Sequence, residues 1–188
     1  MLKDSLNELI ATYPNFPKEG ILFRDMMPVL ENPEVFTELI ASMSNLEISQ
    51  KADAILAIDA RGFLLGSAIS LKLSKPLIVA RKPGKLPGDI ISQSYSLEYG
   101  TNSLSIQKNA IKPYKSFVII DDLLATGGTV ECVAKILSSQ QKKVTGLNVV
   151  IELSELNGSS KFSGGVSCWP TFLYMVCAVI DTWNKSVF

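Results

Sequence analysis

The rhythm of apolar and polar positions changes early in the chain. Leu2, Leu6, Leu9, Ile10 and Tyr13 recur at helical spacing and predict an opening amphipathic helix. The stretch Tyr13-Pro14-Asn15-Phe16-Pro17 ends it, because proline restricts its own φ and its predecessor's. A second helix is announced by Asn32 as N-cap, Pro33 at the first helical position and Glu34 in the first turn. Phe36, Leu39, Ile40 and Met43 form its apolar stripe. From there the pattern becomes short, unbroken apolar runs alternating with helices. Ala54–Ile58, Leu77–Ala80, Phe117–Ile120 and Leu147–Ile151 read as strands, while Phe63–Leu73 and the segment bearing Val130, Val133, Ala134 and Leu137 read as helices. Strands apolar at every position are buried on both faces, so the pattern predicts an α/β fold with a mostly parallel twisted sheet and helices on both faces. Ligands bind such sheets beyond the carboxyl ends of the strands, where the polar loops after Ile58, Ala80 and Ile120 should converge.

Length and composition narrow the chemistry. At 188 residues, 47% hydrophobic and 19% charged, the chain is expected to form one globular domain. It contains no histidine, which excludes a Ser-His-Asp triad, a Cys-His pair and an H-E-x-x-H zinc site. Any proton transfer falls to carboxylates, Lys, Tyr, Cys or water. Lys+Arg and Asp+Glu both number 18, and this neutral balance argues against a nucleic-acid partner. Cys132, Cys168 and Cys177 form no C-x-x-C pair and suit a reducing, cytoplasmic setting. The start, Met1-Leu2-Lys3-Asp4, lacks a signal-peptide pattern. The long apolar run Cys168–Ile180 has 13 residues with Pro170 and Thr171 inside, too short for a membrane span.

The most informative segment is Phe117–Thr129, FVIIDDLLATGGT. A buried strand delivers Asp121 and Asp122, and the loop Ala125-Thr126-Gly127-Gly128-Thr129 leads into a helix. Paired glycines let backbone N–H groups turn inward, and a helix N-terminus adds its dipole, which together make a phosphate cradle. Neither a Walker A lysine nor G-x-G-x-x-G is present. Two carboxylates beside a phosphate would repel it unless they engage something else, and ribose hydroxyls or hydrated Mg²⁺ are natural partners.

This segment resembles the 5-phosphoribosyl 1-pyrophosphate (PRPP) signature of the type I phosphoribosyltransferases. Four more segments, Asn15–Asp25, Ala60–Phe63, Arg81–Pro87 and Tyr95–Gly100, occur in family order and resemble the adenine-specific branch. The resemblance covers residues 2–157 and implies a small N-terminal hood (residues 1–35), a mobile lid loop and a homodimer. The implied reaction converts adenine and PRPP to AMP and pyrophosphate with Mg²⁺, in purine salvage. Residue by residue, it implies that Ala125, Thr126, Gly127, Gly128 and Thr129 bind the 5-phosphate. Asp121 and Asp122 would hold the ribose and, through water, the metal. Asp59, Ala60, Arg61, Arg81, Lys82 and Lys85 would bind pyrophosphate, with Asp59–Ala60 the place for a cis peptide and Arg81 reaching across the dimer. Leu22, Phe23 and Arg24 would hold adenine, Glu98 would act as acid–base residue, and Tyr99 would belong to the lid, Pro87–Tyr99. On the residues alone, Arg61 can also be a structural ion pair, the cation cluster a solvated face, Glu98 a surface carboxylate and Ile21-Leu22-Phe23 core.

Two features depart from the family. Met26-Met27 stands where a hydroxyl residue is expected, and beyond Asn157 the pattern fades into a divergent tail, residues 158–188, where the apolar run could add a strand or a dimer-facing patch. Two rivals remain: transfer to hypoxanthine or xanthine, and a PRPP-sensing regulator that binds nucleic acid. The balanced charge and Glu98 disfavour the regulator.

Overall fold

A computed structural model describes residues 1–97, 100–161 and 176–178, of which 95–97, 100, 101, 161 and 176–178 are described as backbone. The chain divides into two compact units, Met1–Met43 and Ser44–Phe188.

In the first unit, α1 (Leu2–Leu9) buries Leu2 and Leu6. The helix stops before Tyr13, contrary to the periodic reading. Tyr13 belongs to β1 (Ala11–Pro14), which pairs antiparallel with β2 (Leu22–Asp25) and sets Tyr13 opposite Phe23. Thr12 and Tyr13 favour extended backbone once a partner strand is available, and that pairing overrides the helical spacing. The turn is closed by the Gly20 N–H donating to Asn15 Oδ1 at 2.9 Å. After α2 (Met27–Leu30), α3 (Pro33–Asn45) starts as expected: Asn32 Oδ1 accepts the Val35 N–H at 3.1 Å, and Leu39, Ile40 and Met43 are buried.

The second unit opens with α4 (Glu47–Lys51), followed by β3 (Ala54–Ile58), α5 (Gly62–Leu73) and β4 (Leu77–Ala80). Strands β5 (Ile90–Leu97) and β6 (Gly100–Gln107) form an antiparallel hairpin, then come α6 (Lys108–Ile111), β7 (Ser116–Ile120) and β8 (Leu123–Leu124). The unit continues with α7 (Gly128–Ser139), β9 (Lys143–Val149), β10 (Ile151–Glu152) and β11 (Val176–Ala178). The main sheet has the order β11-β9-β7-β3-β4, parallel except for β11. All five residues of β3 are buried, as a central parallel strand requires. α7 packs on the face bearing Leu56, Ile58 and Ile119, while α5 lies on the other, with Gly66 beside Ala57. At roughly 1.5–3 kcal/mol per fully buried Val, Leu or Ile side chain, these two layers dominate the unit's stability.

The stretch expected as a mobile lid loop, Pro87–Tyr99, contains a strand. Its residues 90–97 form β5, whose partner β6 the apolar-run reading did not foresee. The hairpin is tied to the end of β4, because Arg81 and Ser105 exchange both backbone hydrogen bonds at 2.9 and 2.7 Å. Of the tail, Val176–Ala178 adds an antiparallel edge strand opposite Val149, Asn148 and Leu147.

Candidate functional site

The carboxyl ends of β3 and β7 and the start of α7 surround a cavity of about 320 Å³ in the second unit. Three sequence-predicted groups meet there. The β3–α5 loop contributes Asp59, Ala60 and Arg61, the loop after β4 contributes Lys82, and the β7–α7 segment contributes Asp121, Asp122 and Ala125–Thr129. The Asp59–Ala60 peptide is cis, at the position the resemblance named.

The phosphate cradle follows from local geometry. Gly127 is the N-cap of α7 with φ 78°, a left-handed conformation that glycine adopts at little cost. Carrying no side chain, it places no cap of its own over the start of α7, where the helix dipole favours negative charge. Gly127 and Gly128 are buried while Thr126 is exposed at the rim.

The two adjacent acids have different surroundings. Asp122, 4% exposed, is ion-paired with the Nε–H of Arg61. Asp121 Oδ1 accepts the Asp122 N–H at 2.9 Å. Desolvation, then the neighbouring charge of Asp122, raises the Asp121 pKa well above the usual carboxylate range. The end of β7 and Asp121 come close to α5 because Gly62 allows it: a Cβ there would lie 2.8 Å from the Ile120 carbonyl oxygen and 3.1 Å from Asp121 Oδ1. Arg61 makes an ion pair, one of the two readings of it, and it also lines the cavity.

Arg81 and Lys85 do not line this cavity. Arg81 donates from Nε to Asp59 Oδ2 at 3.1 Å, lies over the Phe63 ring at 5.7 Å and donates to the Lys85 carbonyl at 3.3 Å. Its guanidinium thus braces the Asp59 loop within its own chain. Asn102 and Leu104 of β6 line the cavity and were missed by the sequence reading. Their signal was the period-two alternation Asn102, Leu104, Ile106, obscured by the serines between them.

In the first unit, β2 carries the expected adenine residues. Phe23 meets Phe16 edge-on with centroids 5.2 Å apart, and Arg24 donates to Thr12 Oγ1 at 2.7 Å. Leu22 is half exposed. Glu98 and Tyr99 lie outside the described residues. Among the described residues, no group of three or more potential ligands could hold a metal ion unaided, and no helix is long and apolar enough to cross a membrane.

Comparisons with known proteins agree with this geometry. The phosphoribosyl transferase domain model matches residues 29–161. An adenine phosphoribosyltransferase of Prochlorococcus marinus is 58% identical over 164 residues, which cover 87% of this chain and 96% of that protein. Among solved structures, an adenine phosphoribosyltransferase from Thermoanaerobacter pseudethanolicus superposes with a TM-score of 0.82 at 40% identity, over 87% of this chain and 95% of that one. The Saccharomyces cerevisiae enzyme, solved with an imino-altritol bisphosphate and adenine, gives a TM-score of 0.76 at 35% identity, over 85% and 93% of the two chains.

Proposed function

The chain belongs to the phosphoribosyl transferase domain family, and from that membership we infer that it is an adenine phosphoribosyltransferase, forming AMP and pyrophosphate from adenine and PRPP. The observation that carries this reading is the convergence of the phosphate loop, both acids and the Asp59–Arg61 loop on one cavity. Relatives named for the same activity match over nearly their whole length.

In the reaction, the C1–oxygen bond of PRPP breaks and pyrophosphate leaves with the electron pair. The adenine nitrogen forms the new bond to C1 and loses its proton. Cleavage running ahead of attack gives the ribose oxocarbenium character. The N–H groups of Ala125–Thr129 anchor the 5-phosphate, fixing C1 relative to the wall formed by Asp59, Ala60 and Arg61. Arg61 and Lys82 offer positive charge where pyrophosphate accumulates negative charge. Arg81 acts through Asp59, and Lys85 lies further out along the same loop. Asp121 and Asp122 bind the ribose hydroxyls.

Asp121 and Asp122 stand side by side on the cavity wall and offer carboxylate oxygens to a cation. The donor set also suits Mg²⁺, an ion that takes one or two carboxylates and completes its shell with water and substrate oxygens. Asp121 and Asp122 would hold Mg²⁺ there, and the ion would supply charge neutralisation for the departing pyrophosphate. Leu22, Phe23 and Arg24 serve adenine, with Phe23 stacking on the purine, and Glu98 takes the adenine proton. These last assignments rest on the family motif. The working form is a cytoplasmic homodimer, and a reducing setting suits the free, buried thiol of Cys132.

A panel of adenine, hypoxanthine and guanine with PRPP tests the reading. Adenine alone should turn over at an appreciable rate, and AMP and pyrophosphate should appear in equal amounts. Preference for hypoxanthine or guanine would overturn the adenine assignment.

A further inference from the structure

The phosphate loop has an outer side, and the segment Val150–Gly158 runs along it. The Val150 and Ile151 N–H groups donate to the Asp122 carbonyl at 3.2 and 3.0 Å, and the Leu153 N–H donates to the Leu124 carbonyl at 2.9 Å. Between them, β10 pairs in parallel with β8, Ile151 against Leu123 and Glu152 against Leu124. The chain then turns through Ser154–Leu156, and Asn157, with φ 49°, redirects it toward the loop. Residues 154–157 are exposed, yet Gly158 is buried. A Cβ at Gly158 would lie 2.0 Å from the Ala125 carbonyl oxygen and 3.1 Å from the Gly127 nitrogen. No other residue fits without moving one main chain or the other.

We propose that Val150–Gly158 is a brace that sets the shape of the phosphate loop, and that Gly158 is its positioning residue. The proposal rests on the PRPP reading above. Main-chain groups of the brace occupy the outward carbonyls of Asp122 and Leu124, and Gly158 presses the Ala125–Gly127 backbone from behind. A loop held in this way is preorganised to aim its N–H groups into the cavity, so less ordering remains when the phosphate binds. Gly158 touches no substrate. It lies at the point where the family pattern begins to fade, yet it packs against the most family-like loop in the chain.

Kinetics of Gly158→Ala against the wild type test this directly, with melting temperature measured alongside. The KM for PRPP should rise about ten-fold or more while the KM for adenine stays within about two-fold, a split that general destabilisation would not give. An unchanged PRPP KM in the folded variant, or equal rises in both KM values, overturns the brace. Should Gly158→Ala fail to fold, Asn157→Ala takes its place. It disfavours the left-handed turn that delivers Gly158 and should raise the PRPP KM by about three-fold or more, with adenine unmoved. Absence of that selective rise overturns the brace. A wild type inactive with adenine would sink the transfer reading instead. Calorimetric PRPP binding to the same variants would then judge the brace separately.

Discussion

Asp122 is 4% exposed and its carboxylate takes the Arg61 Nε–H, whereas Asp121 has desolvation and a neighbouring negative charge acting on it. The sequence presents them as an interchangeable pair, but their effects on stability should have opposite signs. A buried acid whose pKa is raised on folding costs stability once pH exceeds its unfolded value, and the cost is complete above the folded value. In the absence of PRPP and Mg²⁺ at neutral pH, Asp121→Asn should therefore stabilise the fold, while the amide oxygen still accepts the Asp122 N–H. The expected outcome is a higher melting temperature, because the substitution relieves the desolvation of the carboxylate and its repulsion from Asp122. Asp122→Asn removes the charge facing Arg61 and should lower stability by about 1–2 kcal/mol. Both variants should bind PRPP far more weakly than the wild type. Thermal melts combined with PRPP titration check the pair; equal destabilisation by both would refute the division of roles.

At the level of elements, what was legible depended on whether a segment carries its own signal. β3, β4 and β7 were readable because continuous apolar runs report burial on both faces, and α3 because Asn32 and Pro33 mark its start. β5 was not, since Ile-Ile-Ser-Gln-Ser-Tyr-Ser-Leu alternates serine with larger residues and becomes a strand by pairing with β6. β8 and β10 are two residues each and exist only as parts of the ladder beside the phosphate loop. Another long-range device was equally silent. Asp53, just before β3, accepts the Lys115 and Ser116 N–H groups at 3.0 and 2.9 Å and donates its own N–H to Ser116 Oγ at 3.0 Å, joining β3 to the start of β7. The Lys115 N–H foremost, then the Ser116 side chain and N–H, lower its pKa. The stabilisation is present above the unfolded carboxylate value and is lost as pH falls through the lowered folded value. Asp53→Asn should cost about 0.5 kcal/mol near neutrality, solvent screening keeping it small. Urea denaturation from neutral to acidic pH should show wild type and variant converging at the acid end. A constant difference across the range would show that the carboxylate charge plays no part.

For the whole molecule, the chain's second half does more for the site than its motifs suggest. The phosphate loop was legible because it is contiguous, whereas its support comes from residues about thirty positions later with no composition of their own to mark them. Beyond that support, β11 covers the edge of β9 through Val176–Ala178. The two roles can be separated by where the chain ends. A chain stopped after Lys161 keeps the brace and loses β11, so β9 becomes an unprotected edge strand. It should melt lower and associate more readily, with its PRPP KM within about two-fold of the full chain. A chain stopped after Leu153 also loses Gly158, and its PRPP KM should rise by about ten-fold or more wherever it still folds. The melting temperature follows the edge strand and the PRPP KM follows the brace. If the longer truncation product already lost PRPP affinity, the edge strand and the phosphate loop would be one cooperative unit, and the division drawn between them would fail.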